Sequence, residues 1–116
     1  MPDRALPGLF WLAQRLSGVL LAGGLALHLA AIHLPPGSGS NFRDVAARLA
    51  SPGWRLFEAA FLVVVTYHAL AGLWTIVEDY APSGQLRRLL LLLLLALGAG
   101  LTLTGLYSLA AVPRAG

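Results

Sequence analysis

The chain has 116 residues, of which 58% are hydrophobic and 11% charged, against about 25% charged in an average soluble domain. A mean hydropathy of +0.76 leaves so short a chain more apolar surface than a water-soluble fold can hide, which makes it a membrane protein. The net charge of +3 comes from scattered Arg, which excludes a nucleic-acid stripe, and the absence of Cys excludes thiolate-held iron–sulfur clusters and disulfides.

In chain order, the first apolar stretch runs over about residues 9–34, long enough for the roughly 20 helical residues that cross a bilayer. It is too long for the apolar core of a signal peptide and passes through His28 and His33 without an A-x-A site. Pro35-Pro36-Gly37-Ser38-Gly39-Ser40 stops it. Residues 41–50 then read as a short amphipathic surface helix with Phe42, Val45 and Leu49 on one side, capped by Asn41 or Ser40 and ended by Ser51-Pro52-Gly53. A second span is expected over about 54–80, a tight turn at Ala81-Pro82-Ser83-Gly84, and a third span over about 86–112. The expected architecture is an all-α membrane protein, one domain over 1–116. Three spans place Arg4, Arg15, Arg87 and Arg88 on one side and Arg43, Arg48, Arg55 and Arg114 on the other, so the positive-inside rule does not choose an orientation.

Ionisable residues are costly in hydrocarbon and are functional suspects there. This chain carries Arg15, His28, His68, Glu78 and Asp79 within its spans, with Glu58 nearer an end. His68 and Asp79, like Ser17 and His28, are spaced so that each pair returns to nearly the same helix face. Gly24 lies one turn before His28 and Gly72 one turn after His68, where a missing side chain admits a planar ligand or another backbone. At about 1.5 Å per residue, Tyr80 is about 18 Å from His68 and Arg15 about 20 Å from His28. That count predicts Arg15, Ser17, Asp79 and Tyr80 near one membrane face and both His at similar depth. A deep neutral His suits haem iron, and a shallow polar cluster suits a quinone head group that needs donors and a proton route.

Plainer roles compete with these. A single intramembrane His is often only hydrogen-bonded to a neighbouring helix, His33 sits at an interface before Pro35, and Trp11 and Trp54 suit an aromatic belt. Arg15 can snorkel to the headgroups. Gly18, Ala22, Ala26 and Ala30, and likewise Ala96, Gly100, Thr104 and Ser108, form small-residue rows that predict close packing against other helices.

Two strings carry a resemblance. Trp11-Leu-Ala-Gln14-Arg15-Leu-Ser17-Gly18-Val19 resembles the opening of the small membrane-anchor subunits of succinate dehydrogenase, respiratory complex II. Tyr67-His68-Ala-Leu-Ala-Gly72-Leu-Trp74-Thr-Ile-Val-Glu78-Asp79-Tyr80 resembles their second span, and its Trp74 and Glu78-Asp79-Tyr80 ending favours the D-type subunit over the C-type. The resemblance implies a subunit that catalyses nothing alone, sits as a multi-pass protein in the cell inner (cytoplasmic) membrane with a cytoplasmic N-terminus, and pairs with a second, C-type anchor. It implies docking of a flavoprotein and an iron–sulfur subunit, a b-type haem with His68 as one axial ligand, and a quinone site using Tyr80, Asp79, Arg15 and, more weakly, Ser17. His28 is the departure, a candidate ligand for a second haem or for the same one. The alternatives are a fumarate reductase anchor of the same architecture and a cofactor-free structural or assembly subunit.

Overall fold

A computed structural model describes residues 5–34 and 41–113; Arg4, Arg114 and the stop at Pro35–Ser40, with Ser40 as a cap, lie outside the described residues. Four helices appear and no strand among them: α1 (Ala5–His33), α2 (Phe42–Leu49), α3 (Pro52–Tyr80) and α4 (Gly84–Ala111). α1, α3 and α4 are each long and apolar enough to cross a membrane, as expected, and the chain is a multi-pass membrane protein. A 29-residue helix is about 43 Å long, longer than the hydrocarbon core, so the ends of α1 and α3 reach the headgroup layers or the helices tilt.

All three long helices begin before the expected positions. Pro7 sits near the start of α1, where its missing N–H costs nothing, and Pro52 occupies the first turn of α3 after the Ser51 cap. Ser51-Pro52-Gly53 therefore not only ends α2 but starts α3. Asn41 caps α2 as expected, its Oδ1 accepting from the Asp44 N–H at 2.9 Å, and Ser83 Oγ caps α4 by accepting from Leu86 N–H at 3.1 Å.

Two arginines close the loops at opposite ends of α3. Arg55 Nε donates to the Leu49 carbonyl at 2.9 Å and its Nη2 to the Val112 carbonyl at 2.6 Å, binding the ends of α2 and α4 to the start of α3. Arg87 Nε donates to the Ala81 carbonyl at 3.1 Å. Each places a cation where a helix C-terminus leaves carbonyls unpaired.

α3 is the middle of a layer: α1 packs on one side of it and α4 on the other, without an extended contact between α1 and α4. Buried side chains are few, chiefly Ser17, Leu49 and Ala81. Leucines of α3 seat on glycines of α4, Leu70 over Gly98 and Leu62 over Gly105. The row Ala96, Gly100, Thr104 and Ser108 is exposed and does not pack within the chain. On the other side, Phe61 lies over Gly24, where an added Cβ would stand 2.8 Å from the ring. Phe61 is held between the rings of His28 (5.7 Å) and Phe57 (5.9 Å) and has little freedom to move aside. Gly24→Ala is therefore expected to destabilise the chain by about 1–2 kcal/mol despite the better helix propensity of Ala. Gly23→Ala, which meets nothing, is expected to be neutral or stabilising; equal effects in a detergent unfolding series would count against this packing.

Candidate functional site

The antiparallel contact of α1 and α3 carries two polar links. Ser17, only 5% exposed, lies against His68 with its Oγ 2.9 Å from Nδ1, and the same Oγ donates to the Gln14 carbonyl one turn back at 2.9 Å. Gln14 Nε2 donates to the backbone carbonyl of His68 at 3.2 Å. Gly18 leaves the space beside the imidazole, since a Cβ there would lie 3.4 Å from His68 Cε1, and Gly72 leaves it for the Gln14 amide.

The second link is His28 Nδ1 to Glu58 Oε1 at 2.8 Å, both side chains partly buried. The His28 ring stacks on Phe61 with an interplanar angle of 12°, and Phe61, Phe57 and Trp54 continue as an aromatic column toward the start of α3. A carboxylate within a span needs such a partner to be tolerated.

These links fix depth. Ser17 is level with His68 and His28 with Glu58, so the two His stand about ten residues, or about 15 Å, apart along the bilayer normal. The expectation of equal depth is corrected: the count from chain landmarks took Arg15 and Tyr80 as level, whereas the Ser17–His68 contact sets Arg15 at about the level of Ala71. Ser17 and Arg15 therefore do not gather with Asp79 and Tyr80. Those two are exposed at the end of α3, Tyr80 at 81%.

Beyond the Ser17–His68 level, toward the start of α1 and the end of α3, a cleft of about 660 Å³ opens along the two helices. Its walls include Trp11, Gln14, Arg15, Trp74 and Glu78. The Arg15 guanidinium lies 4.2 Å over the Trp11 ring, a cation–π contact one helical turn apart. A shallower groove shares Gln14 and Arg15 with it and continues past Gly18, Val19 and Ala22 to His68. Sequence reasoning missed Gln14 and Trp74 as site residues, noted Glu58 without its pairing to His28, and read Trp11 as a belt aromatic. Only the acid had a readable signal, since a Glu inside a span calls for a polar partner on another helix.

Chemically, His68 offers one ring nitrogen to a groove while the other is held by protein. Among the described residues no three His, Asp or Glu side chains converge as a metal-holding group. A haem iron needs only one protein ligand per axial side, because the macrocycle fills its other positions, and the donor set around His68 fits that need.

The model of the succinate dehydrogenase/fumarate reductase transmembrane subunit matches residues 4–107. The chain belongs to this family. Two relatives agree with the assignment. The succinate dehydrogenase hydrophobic membrane anchor subunit of Thermoplasma acidophilum is 34% identical over 77 residues, covering 66% of this chain and 63% of the relative. Its namesake from Archaeoglobus fulgidus is 30% identical over 74 residues, covering 64% of this chain and 63% of the relative. The chain thus spans 63% of the length of the relatives it matches. Family membership agrees with the three candidate spans among the described residues.

Proposed function

We propose that this chain is a membrane-anchor subunit of a succinate:quinone oxidoreductase, of the D type, that holds b-type haem at His68 and helps to form the quinone-reduction site. The observation that carries the haem reading is the frame around His68, in which Nδ1 rests on Ser17 and the ring faces a groove. His68 would be one axial ligand and a second, C-type anchor would supply the other. When bound, the haem supplies a one-electron redox centre within the bilayer. A flavoprotein and an iron–sulfur subunit would dock at the α3–α4 turn side, the cytoplasmic side in this reading, and deliver electrons from succinate.

Quinone reduction also takes up two protons, so its site needs donors and contact with water. Tyr80 carries a freely exposed hydroxyl able to donate to a quinone carbonyl, with the Asp79 carboxylate beside it in sequence to hold or replenish the proton, and Arg15 would donate not there but from the wall of the cleft about two turns deeper. Ser17, whose hydroxyl is occupied by His68, acts at one remove. A fumarate reductase anchor would use the same parts in the opposite direction, and the flavoprotein and quinone potential decide which.

A second haem is the companion reading, favoured by the carboxylate on His28 Nδ1, an arrangement that commonly orients metal-bound His. A haem-to-flavin ratio of two in the complex purified through this chain, falling to one in His28→Ala, is its expected result. A ratio of one in the unaltered complex removes it.

Tyr80→Phe tests the quinone assignment. The loss of one donor hydrogen bond is expected to lower succinate:quinone turnover on the order of tenfold, with haem content and succinate-driven reduction of a soluble dye unchanged. Unchanged turnover would take Tyr80 out of the site.

A further inference from the structure

The hydroxyl of Ser17 stands 2.9 Å from two groups at once, the Gln14 carbonyl and His68 Nδ1, yet it has a single proton. If that proton went to Nδ1, the contact with the carbonyl would set two lone-pair oxygens against each other. Given instead to the carbonyl, it makes both contacts hydrogen bonds, with Nδ1–H donating to Oγ. In this second arrangement, with both Ser17 contacts hydrogen bonds, Nε2 carries the bare lone pair. The surroundings hold the ring in place: Ser17 is among the few buried side chains, and the Gln14 amide fixes the His68 backbone. The ring is thus held at Nδ1, and its remaining nitrogen has no partner among the described residues.

We propose that Ser17 is the positioning residue of the haem ligand: it selects the His68 tautomer whose Nε2 is unprotonated and aims that nitrogen into the groove. This rests on the haem reading above for its purpose, but the tautomer itself does not require haem. It gives Ser17 a role separate from quinone contact. A donor bond from Nδ1–H also makes the imidazole more basic and a stronger electron donor to iron, which favours the oxidised metal.

The test has two arms. In the full chain carrying nitrogen-15 histidine in detergent, with His68 assigned by His68→Gln, the expected spectrum shows a protonated Nδ1 and an unprotonated Nε2 as one tautomer. Ser17→Ala is expected to convert it to a mixture, and Ser17→Thr, which keeps the hydroxyl, to restore it. A protonated Nε2 in the unaltered chain, or a spectrum that Ser17→Ala leaves unchanged, overturns the proposal. In the purified complex, Ser17→Ala is expected to raise the haem reduction potential while Ser17→Thr stays near the unaltered value. A potential indifferent to Ser17→Ala in a complex that keeps its haem also overturns it. A complex without haem overturns the haem reading, and the tautomer measurement still decides the role of Ser17.

Discussion

His68→Ala is expected to abolish the b-type α-band of the complex purified through this chain, while flavin and succinate-driven dye reduction are retained. The change removes the one nitrogen directed to the groove, whereas the Gln14 bond to residue 68 goes to the backbone carbonyl and survives. The Gln14 link between the helices is therefore kept while the proposed iron ligand is lost. Losing even an outer partner of a metal ligand costs about 10–100-fold in affinity, so losing the ligand itself is expected to cut haem occupancy by at least about tenfold. The reduced-minus-oxidised spectrum per flavin measures it. A full α-band in His68→Ala would move the iron elsewhere, and His28 would be the next residue to remove.

The second large effect is expected at the other link. His28→Leu strips Glu58 of its hydrogen-bond partner within the membrane, and Glu58→Leu does the same to His28. Leaving one member of a hydrogen-bonded pair without its partner costs about 1–3 kcal/mol, whereas replacing both by apolar residues is often nearly neutral. Each single change is expected to destabilise the chain by about 1–2 kcal/mol, since the pair is only partly buried, and the double change His28→Leu/Glu58→Leu to recover most of that loss. Unfolding in mixed detergent micelles gives the double-mutant cycle. Strictly additive single effects would mean the pair is not coupled.

Much of this architecture was legible in the chain. Three apolar runs, the Pro/Gly breaks between them and the Phe42–Val45–Leu49 spacing encode local structure, and local structure is what periodicity reports. The family was legible too, because His68, Gly72, Asp79 and Tyr80 lie on one helix and their spacing survives in linear order. What sequence spacing could not supply was the register between helices. Whether Ser17 meets His68 or Tyr80 depends on how far α1 slides along α3, and a shift of a few residues moves a side chain by a full turn. The register set by the contacts of Gln14 and Ser17 with His68 separates Arg15 from Asp79 and Tyr80. The same ignorance of register hid the pairing of His28 with Glu58, whose members are far apart in sequence and adjacent only across the helix contact.

The layered arrangement of the helices changes what this molecule tolerates. In a bilayer, the outward leucines of α4 already sit in their preferred medium, so they contribute little to holding the helices together. Shape is held where one helix indents another: Leu70 against Gly98, Leu62 against Gly105, Phe61 against Gly24. The usual ranking of sensitive positions is thereby inverted. Trimming a large side chain from the lipid-facing surface is a minor event, whereas adding one methyl group at a glycine under Phe61 pries two helices apart. In evolutionary drift such a chain would keep its small residues and exchange its large ones freely.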